Sequence, residues 1–187
     1  MIAIFIIIGV VVLLAIYFIV LYNRLVRMRN DMSNAWAQIE VQLKRRHDLI
    51  PNLVETVKGY AAHERETLDA VTNARNMAQS AVGKGAGAQS KAEGLLGGAL
   101  SRLLAVAENY PDLKANQNFL SLQGELSSTE NKIASSRMDY NDMVLHCNNT
   151  IQTVPSNIVA GLTGFKPGEF FELETPEEKD TPSISFT

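Results

Sequence analysis

The chain has 187 residues and a formal net charge of −3, roughly one domain's worth of sequence and too little charge to make nucleic acid the partner of the whole protein. Its single cysteine, Cys147, excludes an internal disulfide framework. Composition goes no further, and the rest must come from pattern.

From Met1 to Tyr22 no side chain is charged, and Ile, Val, Leu and Phe dominate. A helix of that length rises about 33 Å, enough to cross a hydrocarbon layer of about 30 Å. A cleaved signal peptide would place basic residues before the apolar run and a small-residue cleavage site after it. Here Arg24, Arg27 and Arg29 follow the run, so residues 1–22 read as an uncleaved transmembrane anchor. Basic residues beside a span prefer the cytoplasmic side. These three arginines therefore set the expected topology, with the N-terminus outside and the following domain in the cytoplasm.

Past the anchor, Leu25, Met28, Met32, Trp36, Ile39 and Leu43 recur three and four apart, and the pattern resumes with Ile50, Leu53, Val57, Tyr60, Glu64, Leu68 and Val71. That is the helical period and not the alternation of a strand. Proline has no N–H for the carbonyl of His47, so Pro51 predicts a kink, or a fresh helix capped by Asp48. If unbroken, a helix from the anchor to about Ser80 would reach about 85 Å.

Between about 79 and 98 the composition turns to Gly, Ala, Ser and Lys. Each glycine inside a helix costs about 1 kcal/mol relative to alanine. The segment reads as a mobile connection, with a helix packed closely through small residues as the alternative. A short amphipathic helix around Leu100, Leu103 and Leu104 should end before Pro111. The longest clear element follows, where Phe119, Leu122, Leu126, Ile133, Tyr140, Met143, Cys147 and Ile151 keep helical spacing until Pro155 stops it. Phe165, Phe170 and Phe171 lie beyond, and at least one should dock on the helices rather than stay in water. Residues 174–187 are acidic and rich in Thr, Pro and Ser, and are expected to be disordered.

The expected fold is all-α: an N-terminal transmembrane helix at 1–22, then an elongated antiparallel helical bundle over 23–173. Trp36, Leu43, Leu53, Phe119, Leu126, Ile133 and Tyr140 are its candidate core, since each falls on an apolar seam.

Several strings resemble a known family. They include Tyr22-Asn23-Arg24-Leu25-Val26, Gln42-Leu43-Lys44-Arg45-Arg46, Asp48-Leu49-Ile50-Pro51-Asn52-Leu53-Val54 and Lys58-Gly59-Tyr60. His63-Glu64, Glu108-Asn109-Tyr110-Pro111-Asp112-Leu113-Lys114-Ala115-Asn116, Tyr140-Asn141 and Phe170-Phe171 follow in order. Together they are similar to the LemA family of bacterial membrane proteins, from about Tyr22 to Phe171. The resemblance implies one N-terminal span with the N-terminus out, a cytoplasmic domain of long antiparallel helices, and residence in the bacterial inner membrane. A magnetosome-associated branch of the family implies membrane organisation.

Motifs for chemistry are weak. His63-Glu64 opens like a zincin helix, but the second metal-binding His would stand at Thr67. Gly83-Lys84-Gly85 lacks the length and context of a phosphate loop, and no G-x-S-x-G elbow occurs. Neither cofactor, metal site nor catalytic residue is expected. The basic run Lys44, Arg45 and Arg46 is the candidate interaction patch, set against a plain solvated face with ion pairs at helical spacing.

The leading expectation is a membrane-anchored scaffold, not an enzyme, that self-associates as a homo-oligomer within the lipid bilayer. A monomeric adaptor recruiting an unidentified membrane or cytoplasmic protein is the second reading, and a metal-dependent hydrolase around His63 the third.

Overall fold

The structure is a computed structural model, in which residues 1–172 are described. The expected tail at 174–187 lies outside them. All regular structure among the described residues is α-helical: α1 Ile2–Lys58, α2 Arg65–Ala81, α3 Ala86–Ala107, α4 Pro111–Lys114, α5 Gln117–Gln152 and α6 Ser156–Thr163.

Helix α1 is a single element of 57 residues. Every residue from Met1 to Val20 is exposed, as an all-round apolar surface must be when its solvent is lipid. Pro51 neither ends the helix nor starts a new one. The hydrogen bond it cannot make is replaced from outside, since Arg75 Nε of α2 donates to the His47 carbonyl at 2.8 Å. The helix stops instead at Lys58, before Gly59, and the turn at 59–64 separates it from α2. Continuation to Ser80 is thereby corrected. Glycine is a poor helix residue and a favoured stop, and the seam positions Tyr60 and Glu64 lie in the turn.

The Gly-rich stretch is likewise not a mobile connection over most of its length. Residues 86–98 belong to α3, whose buried side includes Ala86, Gln89, Ala92, Glu93, Leu96, Leu100 and Leu103. Tertiary burial outweighs glycine's poor propensity. Only 82–85 connect α2 to α3, and Gly83 and Gly85 there take positive φ values of 79° and 97°. The last long element matches its expected extent closely, as α5 ends at Gln152, just before Pro155.

The helices distribute over two compact units. Unit 1 comprises Met1–Ile39 and Ser136–Gly168. Its apolar cluster joins Leu25 and Met28 of α1 with Cys147 and Ile151 of α5 and Val159 and Ala160 of α6, while Leu21 and Phe165 pack against it. Trp36 is half-buried, with its ring 5.2 Å from that of buried Tyr140. Asn148 clasps the backbone of Gly168, donating to its carbonyl at 3.0 Å and accepting from its N–H at 2.8 Å. Unit 2 comprises Glu40–Ser135 with 169–172. Its core draws Ile50, Leu53 and Val57 of α1, Leu68 and Val71 of α2, Leu96 and Leu103 of α3, Leu113 of α4, and Phe119 and Leu126 of α5 into one cluster. Leu43 and Ile133 are buried in the same unit, and Phe171 is the docked C-terminal aromatic at 1% exposure.

Candidate functional site

The basic run on α1 does not form one surface. Lys44 and Arg45 are exposed, but Arg46 and His47 are buried. Arg46 lies at 4% exposure in unit 2, too enclosed to greet a partner, and the expected patch loses its third member. Arg45 pairs with Glu125 at 3.5 Å across half-exposed side chains, a contact worth little in water. Arg46 meets Glu93 and Glu130.

Arg46 sits in a polar network. One guanidinium nitrogen donates to Glu93 Oε2 and the other to Glu130 Oε2 at 2.5 Å. His47 Nε2 lies 2.9 Å from Glu93 Oε1, and Gln89 Nε2 donates to that same oxygen at 3.2 Å. Burial alone would push the Glu93 carboxyl up. The His47 hydrogen bond and the Arg46 charge outweigh it, and the pKa falls below the ordinary 4.5. An ionised carboxylate only accepts, so the His47 ring nitrogen facing it carries the proton. Glu93 thus takes its donors from Arg46, His47 and Gln89 and neutralises a buried cation. At 2% exposure and ion-paired, its carboxylate is poorly placed to act as an acid or base.

Glu93 and Gln89 were not legible as site residues, because they fall in the Gly-rich stretch. A signal exists all the same: Gln89, Glu93, Leu96, Leu100 and Leu103 recur at four, three, four and three. Arg46 also borders a cleft of about 440 Å³ in unit 2, with Leu100, Leu104, Gln123, Ser127 and Asn131 on its walls. A second, of about 400 Å³, is bordered by Glu40, Lys44, Asp48, Gln79 and Gln89.

His63 is exposed in the turn before α2 and not on a helix, while Glu64 accepts the Tyr110 hydroxyl at 3.0 Å. That hydrogen bond to a carboxylate raises the Tyr110 pKa. Among the described residues, no group of three or more His, Cys, Asp or Glu could hold a metal ion. Arg24, Arg27 and Arg29 are all exposed on α1 beyond the apolar run.

Against known proteins, the model of the LemA family matches residues 35–186. The chain belongs to the LemA family. Magnetosome protein MamQ 2 of Paramagnetospirillum magneticum is 32% identical over 188 residues, covering 88% of this chain and 68% of the relative. Magnetosome protein MamQ of Magnetospirillum gryphiswaldense is 31% identical with the same coverage. Protein LemA of Metamycoplasma hominis is 31% identical over 140 residues, 74% of this chain and 63% of its own. With one helix among the described residues long and apolar enough to cross a membrane, this LemA-family chain is a membrane protein.

Three of the strings that carry the LemA resemblance, Lys58-Gly59-Tyr60, His63-Glu64 and Glu108 to Asn116, lie at helix junctions of unit 2. Asn116 Nδ2 donates to the Tyr60 hydroxyl at 2.8 Å, while its Oδ1 accepts the Phe119 N–H at 3.1 Å and caps α5. Tyr110, from the same string, holds Glu64. These residues are spent on joining helices.

Proposed function

We propose that this chain is a non-catalytic membrane scaffold, in which the span fixes a helical domain to the bilayer and copies associate side by side. The observation that carries this reading is the continuity of α1. The helix passes from the exposed apolar run directly into the buried positions Leu25 and Met28 without a linker. A flexible tether serves a protein that searches for its target, whereas an unbroken helix serves one that holds neighbours in a set arrangement. The polar groups best placed for chemistry, Arg46, His47 and Glu93, are bonded to one another inside the fold. The likeness to relatives named as magnetosome proteins is in keeping with a membrane-organising role.

The test is the mass of the full chain in native lipid particles, measured by light scattering. A discrete multimer is expected, and a clean monomer at all accessible concentrations would sink the scaffold. The proposed orientation, domain in the cytoplasm of the inner membrane, rests on Arg24, Arg27 and Arg29. A cysteine placed at exposed Asp139 should stay unlabelled by an impermeant maleimide in intact spheroplasts and react after lysis.

A second reading, a monomeric adaptor, draws on exposed Lys44 beside the cleft of about 400 Å³. The double variant Lys44→Glu, Arg45→Glu would then shed a co-purifying protein without changing the chain's own mass. Arg46 is unsuitable for that experiment, because it is buried.

A further inference from the structure

Helix α6 has two unlike sides. Ser156, Val159 and Ala160 face inward. On the other side Val154, just before the helix, is 77% exposed, Ile158 59% and Leu162 75%. Ile158 and Leu162 stand four residues apart on α6, which places them along one stripe, and Val154 lies in the turn that leads into it. Single exposed aliphatics are ordinary, but an aligned stripe in a charge-free stretch calls for a partner. No side chain from Cys147 to Phe165 is charged.

The place of α6 on the anchor identifies that partner. Its inward side joins the cluster containing Leu25 and Met28, and Leu21 at the end of the apolar run packs against the same cluster. Leu25 lies only about 5 Å along the helix from Tyr22. Phe165, following α6, meets the Tyr22 ring edge-on at 6.2 Å, and Arg29 lies 5.2 Å from the Phe165 ring centre. A residue pair held at the end of a span sits where headgroups begin, a level favourable to aromatic rings. Exposed Arg24, Arg27, Arg29 and Lys166 supply positive charge beside it. An aliphatic stripe flanked by basic side chains at this level is the pattern of a helix lying in a membrane surface.

We propose that α6 is an interfacial helix: its exposed Ile158 and Leu162, with Val154 in the turn before it, enter the headgroup–acyl boundary of the same bilayer that α1 crosses, with the neighbouring arginines and Lys166 among anionic headgroups. The unit then holds the membrane at two places, one spanning and one lateral. This rests on α1 spanning the bilayer and not on self-association.

The unaltered full chain in nanodiscs of phosphatidylethanolamine and phosphatidylglycerol provides the test, with a small fraction of lipid carrying a diazirine near the headgroup end of one acyl chain. After illumination, mass spectrometry should find lipid adducts on peptides from 1–22 and from 154–165. Adducts on 1–22 alone overturn the interfacial helix while leaving the anchor intact. Adducts on neither overturn both. A second measurement uses nitroxide labels on Leu162→Cys, Val12→Cys and Asp139→Cys chains in which Cys147 is replaced by alanine. The label at 162 should relax with oxygen and resist a water-soluble nickel chelate, as the Val12 label does. Chelate access equal to that at exposed Asp139 overturns the proposal. So does shielding from both reagents, which would mean that a second copy covers the stripe.

Discussion

Proline at position 51 withholds a donor from the carbonyl of His47, and Arg75 of α2 supplies it. A hydrogen bond from a charged group contributes about 1.5–3 kcal/mol. Arg75→Leu should therefore lower stability by about 1–2 kcal/mol, since the site is half-buried. In a Pro51→Ala chain the backbone N–H returns and the same substitution should cost much less. A denaturant double-mutant cycle reads the difference, and equal costs in both backgrounds would refute the replacement. Glu93 makes a sharper case. Glu93→Gln leaves Arg46 buried beside one exposed partner, and a loss of about 3 kcal/mol is expected. Lys44→Glu, at an exposed site, should stay within about 0.5 kcal/mol of the parent. The Glu93 carboxyl is held below its ordinary value, so its contribution is complete above pH 4.5 and drains away as pH falls through the folded value. Unfolding midpoints measured downward from pH 6 should fall more steeply in the parent than in Glu93→Gln. Nothing local in the sequence announces the pair, because its members lie 47 residues apart and meet only through packing.

Among the elements, α5 was legible because its seam runs unbroken to a proline, and tertiary packing had no local preference to overturn. The Gly-rich first half of helix α3 was not, because glycine's propensity spoke louder than the spacing of Gln89, Glu93 and Leu96, whereas its second half around Leu100, Leu103 and Leu104 was. The end of α1 shows the reverse error. Tyr60 and Glu64 kept the period, yet Gly59 after Lys58 carried the stop. Glycine's cost in α3 is recoverable: a Cβ at Gly98 would meet nothing within 4 Å. Gly98→Ala should accordingly raise stability by about 0.5–1 kcal/mol. Gly85, with φ at 97°, should behave oppositely, and Gly85→Ala should cost about 1 kcal/mol or more. Thermal unfolding of the two variants side by side is sufficient, and equal signs would contradict the turn at 82–85.

For the whole molecule, the anchor and the all-α class were legible from length, hydropathy and period, and the family from its motif strings. The division into two units was not, since α1 and α5 each contribute to both. Cys147 offers a reporter for one of them. It is buried in the unit 1 cluster, and burial pushes its thiol pKa up. Both effects suppress the reactive thiolate. Maleimide labelling should be slow in the folded chain and rise sharply when unit 1 opens in denaturant. A folded rate matching the unfolded one would show the cluster to be open.

An unbroken α1 also has an angular meaning. A helix turns about 100° per residue, and between Tyr22 and the cluster at Leu25 there is no hinge to absorb a twist. The azimuth of the anchor in the bilayer is therefore geared to the packed face of unit 1, and α6 lying in the membrane surface would fix it further. One alanine inserted after Tyr22 should swing the lipid-facing surface by about 100°, while seven should return it nearly to phase. If neighbouring copies meet through a particular flank of the anchor, assembly will follow that phase and not merely the length of the span.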